Sequence, residues 1–62
     1  MTPSIGDIWK WDPGSFPEPQ YLLVLDRKDT EWICLNINRN EISHWFMHTE
    51  DEDEGPDWEW VA

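Results

Sequence analysis

The sequence lacks several features that secreted, membrane and nucleic-acid-binding proteins need. Its 62 residues include a single cysteine, so no disulfide can form within the chain. Only 4 residues are lysine or arginine, against 14 aspartates and glutamates, which gives a formal net charge of −10. Nucleic acids and anionic membranes would repel such a chain. No segment approaches the roughly 18 consecutive apolar residues of a membrane helix. We therefore expect no direct binding to nucleic acid and no membrane segment.

Targeting and catalytic motifs are also missing from the sequence. Residues 1–4 contain no basic region and no apolar run, so we expect no signal peptide. We expect a cytoplasmic location, which would be the host cytoplasm if the protein is viral. The three glycines are isolated, which excludes a glycine-rich phosphate loop, and no serine lies in a nucleophile elbow. We therefore expect no enzymatic activity and no cofactor.

Aromatic residues, by contrast, are abundant, with six tryptophans, two phenylalanines and one tyrosine. Each aromatic side chain buries on the order of 150–250 Å². Such burial offsets the conformational entropy of a short chain that has no disulfide. It also separates the sequence from acidic disordered proteins, which are poor in aromatics. We predict a single domain over residues 1–62 with an acidic surface; the alternative is a chain that folds on binding or dimerising.

Apolar residues alternate with a period of two along most of the chain, which predicts strands rather than helices. The segment between the first two strands holds three prolines and a glycine, so residues 12–19 are expected to form an irregular loop. The charged residues 26–29 and the asparagine-rich residues 38–40 are predicted turns, and residues 49–57 an acidic loop. The five predicted strands are residues 7–11, 21–25, 31–37, 41–47 and 58–61.

A five-stranded antiparallel sheet of this size must curl to bury one face and to protect its edges. The predicted fold is therefore all-β: a single small five-stranded antiparallel SH3-like barrel. An OB-like barrel and a flat sheet that dimerises are the alternatives. Residues 21–25 are apolar on both faces, which indicates a central strand.

The order of features resembles SH3-like small barrels. Within that group, residues 6–9 (Gly-Asp-Ile-Trp), the proline-rich loop and residues 22–25 resemble the start of the PemK-like toxin ribonucleases, over residues 5–26. That family carries Arg-Pro before its buried strand and a small hydroxyl residue after it. The matching positions here are Gln20, Tyr21 and Asp26. The resemblance therefore implies a shared barrel without the catalytic residues or the nuclease activity.

Half of the carboxylates lie in one short segment, since seven of the 14 fall within residues 50–59. One interpretation is a solvated loop that keeps a tryptophan-rich domain soluble. Another is an anionic patch that mimics phosphates and occupies the nucleic-acid channel of a basic protein. The run lacks the EF-hand pattern, because with Asp51 as position one, Gly55 and Pro56 occupy positions five and six.

The tryptophans divide into a structural and an exposed share. Trp9 and Trp11 share one face of their strand, as do Trp58 and Trp60, so pairing of the first and last strands would form a four-tryptophan cluster that closes the barrel. A barrel this small cannot bury all nine aromatic residues. We predict that the exposed share is Phe16 and Trp45, because exposed aromatics mark interfaces.

Histidine and cysteine positions give no metal or nucleophile motif. His44 and His48 are four residues apart on a predicted strand, where that spacing separates them by about 13 Å. They are therefore interpreted as surface residues rather than metal ligands. Cys34, in an apolar strand, is predicted to be a small buried hydrophobic residue.

These observations predict a noncatalytic interaction protein that binds and inhibits a host protein with a basic surface. In the sharper version, that host protein binds nucleic acid and the inhibitor occupies its binding groove. Size, acidity and tryptophan content are similar to those of small accessory proteins of bacteriophages, many of which act in this way. The alternatives are a structural or assembly subunit held by a tryptophan-rich face, and a small-ligand-binding module. The chain is expected to be a monomer or a small homo-oligomer. The predicted partner-binding residues are Glu50, Asp51, Glu52, Asp53, Glu54, Asp57, Phe16 and Trp45.

Overall fold

The protein is all-β, as predicted. A computed structural model describes residues 2–15, 17–47 and 57–62 of the chain. No helix occurs in these ranges, so none there is long and apolar enough to cross a membrane. The five strands are β1 (Ile8–Trp11), β2 (Gln20–Lys28), β3 (Glu31–Asn36), β4 (Glu41–Trp45) and β5 (Trp58–Trp60).

All five strands belong to one antiparallel sheet in the order β4-β3-β2-β1-β5. The predicted central strand, β2, lies in the middle of this order, and the predicted pairing of the first and last strands is present as β1 and β5. Strands β4 and β5 form the two edges, and among the described residues no hydrogen-bonded ladder joins them. The sheet is therefore open in its backbone pairing.

The register of the sheet places all six tryptophans on the same face. Trp9 pairs with Trp60 and Trp11 with Trp58 across β1 and β5, and Trp32 pairs with Trp45 across β3 and β4. The two groups share a face because the strands between them continue the same alternation. This face carries the hydrophobic core, whose buried members are Trp9, Leu22, Val24, Trp32, Cys34 and Met47.

Strand β2 is longer than predicted: residues 26–28 of the predicted charged turn belong to the strand, and the turn itself begins at Asp29. Val24 pairs with Cys34 and Asp26 with Ile33, so one residue of β2 is extra and forms a bulge. Beyond the bulge, the Arg27 guanidinium lies 4.7 Å from the ring centroid of its cross-strand partner Trp32. Charged residues thus continue the strand, because this cation–π contact supports them.

The hairpin between β3 and β4 is tied to the start of β2. Asn40 has a φ of 56°, which confirms the prediction that an asparagine supplies the left-handed residue of this turn. The Asn38 side-chain oxygen accepts a hydrogen bond from the Tyr21 backbone N–H at 2.8 Å, and its amide donates to the Pro19 carbonyl at 3.1 Å. The turn takes up Ile37, so β3 ends one residue earlier than predicted.

Candidate functional site

The two edges of the open sheet are brought together by three tryptophan rings. Trp11 of β1 lies edge-on to Trp45 of β4, with ring centroids 5.1 Å apart and an interplanar angle of 69°. Trp58 of β5 stacks on Trp11 at 5.9 Å and meets Trp45 edge-on at 6.1 Å. Because β4 and β5 are opposite edges of the sheet, these contacts show that the sheet curls and that side chains join its edges. We refer to Trp11, Trp45 and Trp58 as the tryptophan cluster.

The membership of this cluster differs from the prediction. Trp9 lies in the core with 3% of its surface exposed, whereas its strand partner Trp60 is 48% exposed. Trp45 takes part instead, because the curl of the sheet places the end of β4 beside β1 and β5. Strand pairing alone therefore gives only two of the three members.

Trp45 is half-buried, which corrects its prediction as an exposed aromatic residue. Its ring packs on the core and on the tryptophan cluster, and its Nε1–H donates to the Ser43 hydroxyl at 2.8 Å. The next residue, Phe46, is the exposed aromatic at this edge, with 57% of its surface accessible. Trp45 instead forms a wall of a cleft.

Of the other predicted partner-binding residues, the structure describes only Asp57. Asp57 is half-buried in the turn just before β5, and its backbone carbonyl accepts a hydrogen bond from the Asp12 N–H at 2.9 Å. In sequence it directly precedes Trp58, a member of the tryptophan cluster. Phe16 and the acidic run of residues 50–54 lie outside the described residues, as does His48.

The cleft opens on the tryptophan-bearing face, at the end of the sheet where the β3–β4 hairpin lies. Its volume is about 260 Å³. Trp11 and Trp45 are its aromatic walls, the buried Gln20 and Asn36 form its floor, and exposed residues of the hairpin form its rim. The lining residues are Trp11, Gln20, Asn36, Arg39, Glu41, Ser43 and Trp45.

The floor of the cleft is a hydrogen-bonded pair of buried amides. The Asn36 amide donates to the Gln20 side-chain oxygen at 3.0 Å, and the exposed fractions of the two residues are 5% and 8%. The Arg39 backbone N–H donates to the Asn36 side-chain oxygen at 3.3 Å. A carbonyl oxygen has two lone pairs, and these bonds within the described part of the chain use one of them on each amide oxygen.

Sequence reasoning missed this amide pair, although the signal for it exists. Gln20 is in phase with the buried Leu22 and Val24, and Asn36 is in phase with Trp32 and Cys34. A polar residue at a core-facing strand position needs a hydrogen-bond partner, which the register supplies on the neighbouring strand. Applied to the sequence, that rule would have marked both residues as site candidates.

The rim of the cleft carries one charge of each sign, Arg39 and Glu41, both exposed. The other basic residues lie elsewhere. Lys10 is 3.7 Å from the Glu59 carboxylate, Arg27 lies over the Trp32 ring, and Lys28 is opposite Glu31 in the β2–β3 ladder. Arg39 is thus the basic residue at the cleft of a chain whose net charge is −10.

Cys34 has the environment of a structural thiol rather than a nucleophile. It is fully buried, and its sulfur lies 3.9 Å from the Met47 sulfur. Burial raises the pKa of the thiol to about 11, which keeps it protonated at neutral pH. The prediction that Cys34 is a small buried hydrophobic residue is confirmed.

Potential metal ligands do not cluster in the described part of the chain. No group of three or more histidine, cysteine, aspartate and glutamate side chains there could hold a metal ion. His44 contacts a single carboxylate, with its Nδ1 2.7 Å from the Glu31 Oε2. This pair joins β4 to β3 across the exposed side of the sheet.

Comparison with models of known families, with curated proteins and with solved structures finds no match to this chain. The resemblance of residues 5–26 to PemK-like barrels accordingly stays a resemblance. Functional inference for this protein comes from the chemistry of its own residues.

Proposed function

We propose that the chain is a noncatalytic interaction protein that binds and blocks a basic surface of a partner protein. The formal net charge of −10 supports a basic partner, because complementary potentials accelerate encounter and disfavour other partners. The carboxylates are also spread over the molecule rather than confined to one end. Exposed ones among the described residues are Asp12, Glu18, Asp26, Asp29, Glu41 and Glu59.

Aromatic anchoring is the second half of the proposal, and Trp45 is the observation that carries it. This residue is half-buried, so part of its ring is available to a partner while the rest is held by Trp11 and Trp58. A side chain that is already fixed loses little entropy on binding, which favours it as an energetic centre of an interface. An acidic surface around such an anchor suits a partner with a basic, partly apolar surface.

Inhibition of a nucleic-acid-binding protein is the sharper form of this proposal. Carboxylates replace phosphates in the partner's binding channel, so the partner would be prevented from binding nucleic acid. A small accessory protein of bacteriophage type that acts on a host protein fits this mode of action, and it requires neither a cofactor nor catalysis.

Affinity capture with the full chain tests this function. Protein from source cells is captured at low and at high salt, and the captured partner is then purified and bound again. We expect a partner with a basic surface, retained at low salt and released at high salt or by added duplex DNA. A captured protein that resists both salt and duplex DNA would contradict the electrostatic mechanism.

An assembly subunit is the second candidate, favoured by apolar residues that remain exposed. The outer face carries a cross-strand row in which Ile8 pairs with Leu23, Leu23 with Leu35, and Leu35 with the exposed Ile42. A mass that rises with concentration in sedimentation, and that Ile42→Thr abolishes, would support this candidate. A concentration-independent monomer would contradict self-assembly.

A further inference from the structure

The size of the cleft limits what it can hold. Pockets for drug-sized ligands and cofactors occupy about 300–1,000 Å³. At about 260 Å³, this cleft lies below that range and suits one side chain of a partner. Its occupant must also fit five polar lining residues and two tryptophans, so a side chain that carries N–H groups suits it better than a purely apolar one.

An arginine already lies on a tryptophan elsewhere on the same face. Arg27 pairs with Trp32, Trp32 pairs with Trp45, and the three form one row across β2, β3 and β4. The Arg27 guanidinium lies 4.7 Å from the Trp32 ring centroid. Among the residues that the structure describes, no cation has an equivalent contact with Trp45. A guanidinium is planar and weakly hydrated, so it stacks on an indole more readily than an ammonium does.

The floor and rim of the cleft offer acceptors for N–H groups. The Gln20 and Asn36 side-chain oxygens are more than nine-tenths buried, and within residues 2–15, 17–47 and 57–62 each accepts one hydrogen bond of the two it can take. Glu41 adds a carboxylate at the rim, opposite Asn36 in the β3–β4 ladder. A guanidinium has five N–H donors and no acceptor, so it matches an acceptor-lined floor beneath an acidic rim.

We propose that this cleft receives the guanidinium group of an arginine side chain from the partner protein. The inference rests on the proposed function and assigns the cleft as the place where one basic side chain of the partner is anchored. The indole of Trp45 stacks on the guanidinium, the Gln20 and Asn36 oxygens accept its N–H groups, and Glu41 supplies the opposite charge.

Arg39 makes the sign of the ligand charge testable. Its guanidinium is exposed at the rim, where it opposes an entering cation and would instead favour an anion. Removing this charge should therefore strengthen arginine binding, whereas removing the Glu41 charge should weaken it. An anionic ligand reverses both effects. The two substitutions are at exposed turn and edge positions, so neither endangers the fold.

The probe is N-acetyl-arginine methylamide. The control ligand is N-acetyl-citrulline methylamide, which has nearly the same shape but no charge. Binding is followed by the NMR signals of the tryptophan indole N–H groups in the full-length chain. We expect the Trp45 and Trp11 signals to move with arginine and to stay in place with citrulline. The Kd should be on the order of millimolar, because a single side chain contributes only part of an interface.

Three single substitutions complete the test. Glu41→Gln should weaken arginine binding about two- to fivefold, and Arg39→Gln should strengthen it by a similar factor, the range of an exposed ion pair. Asp29→Asn is the control, because it removes one carboxylate at the β2–β3 turn, at the opposite end of the sheet, and its positive φ suits asparagine. This variant should bind arginine like the unmodified chain.

Several results would overturn the cleft assignment. They are equal shifts with arginine and citrulline, shifts away from Trp45 and Trp11, or effects of Glu41→Gln and Arg39→Gln with the opposite signs. Partner capture separates the two proposals. If a basic partner binds with full affinity to the Glu41→Gln and Arg39→Gln variants, the proposed function stands and the cleft assignment fails. If arginine occupies the cleft but no basic partner is captured, the proposed function fails.

Discussion

Trp11 and Trp45 belong to strands that are separated by two others in the sheet, yet their ring centroids lie 5.1 Å apart. This contact shows how a five-stranded sheet without a closed ladder acquires a concave face. The curl makes the cleft, because it turns the side chains of β1 and β4 toward one another above the buried floor of β2 and β3. The same interaction thus stabilises the fold and forms the candidate site.

The tryptophan cluster should contribute more stability than an exposed tryptophan. We expect Trp45→Ala to lower the free energy of unfolding by about 2–3 kcal/mol, through lost burial and lost edge-to-face contacts with Trp11 and Trp58. Trp60→Ala is the control and should cost less than about 1 kcal/mol, because Trp60 is half exposed. Urea denaturation measures both values. Equal losses would show that the cluster does not hold the sheet edges together.

The amide floor of the cleft should behave as a coupled pair. Asn36→Leu removes the N–H group that the buried Gln20 side-chain oxygen accepts from, and should cost about 1–3 kcal/mol. Adding Gln20→Leu removes the orphaned group, so the double variant should be more stable than the single Asn36→Leu variant. A double-mutant cycle on the free energy of unfolding measures this coupling. Additive losses would mean that the hydrogen bond contributes little.

Alkaline pH should destabilise the fold through Cys34. The ordinary pKa of the thiol is 9.0 and burial raises it to about 11, so between these values the thiol ionises in the unfolded chain and stays protonated in the folded one. The folded state then binds more protons, and stability falls as pH rises from about 9 to about 11, by up to ~2–3 kcal/mol.

Chemical denaturation between these pH values, under reducing conditions, gives the measurement for this prediction. Cys34→Ala supplies the comparison, since it lacks the thiol and is otherwise the same chain. Its stability should fall less steeply with pH. Parallel curves for the two proteins would rule out a contribution from the thiol.

Alternation along the strands was enough to predict the strand count, the antiparallel arrangement and the central position of β2, which depend on local pattern or on the adjacency of hairpins. The pairing of β1 with β5 joins the two ends of the chain, and the sequence offered it only as a condition for a tryptophan cluster. The bulge after Val24 was missed because the charged residues that follow it are typical of a turn. The contact of Arg27 with Trp32, which the sequence pattern does not show, supports their continuation of the strand.

The candidate site was harder to predict than the fold. Alternation shows that Trp45 shares a face with Trp32, but not that the end of β4 lies beside β1 and β5. That proximity depends on how far the whole sheet curls, which is a property of all strands together. The strand alternation places Gln20 and Asn36 on the core face, and the need of buried polar groups for hydrogen bonds predicts that they pair. The cleft above them cannot be predicted in this way.

The central claim is that the acidic run of residues 50–54 supplies the main electrostatic attraction to the partner. The decisive measurement uses the Glu52→Gln/Asp53→Asn variant. Its Kd for the purified partner is measured over a range of salt concentrations. Its control is Glu18→Gln/Asp29→Asn, which removes two negative charges elsewhere. We expect the run variant to bind about tenfold more weakly and with a flatter salt dependence, and the control, whose carboxylates add only to the overall charge, to bind less than about threefold more weakly. Equal affinities and equal salt dependence for the two variants would contradict the account.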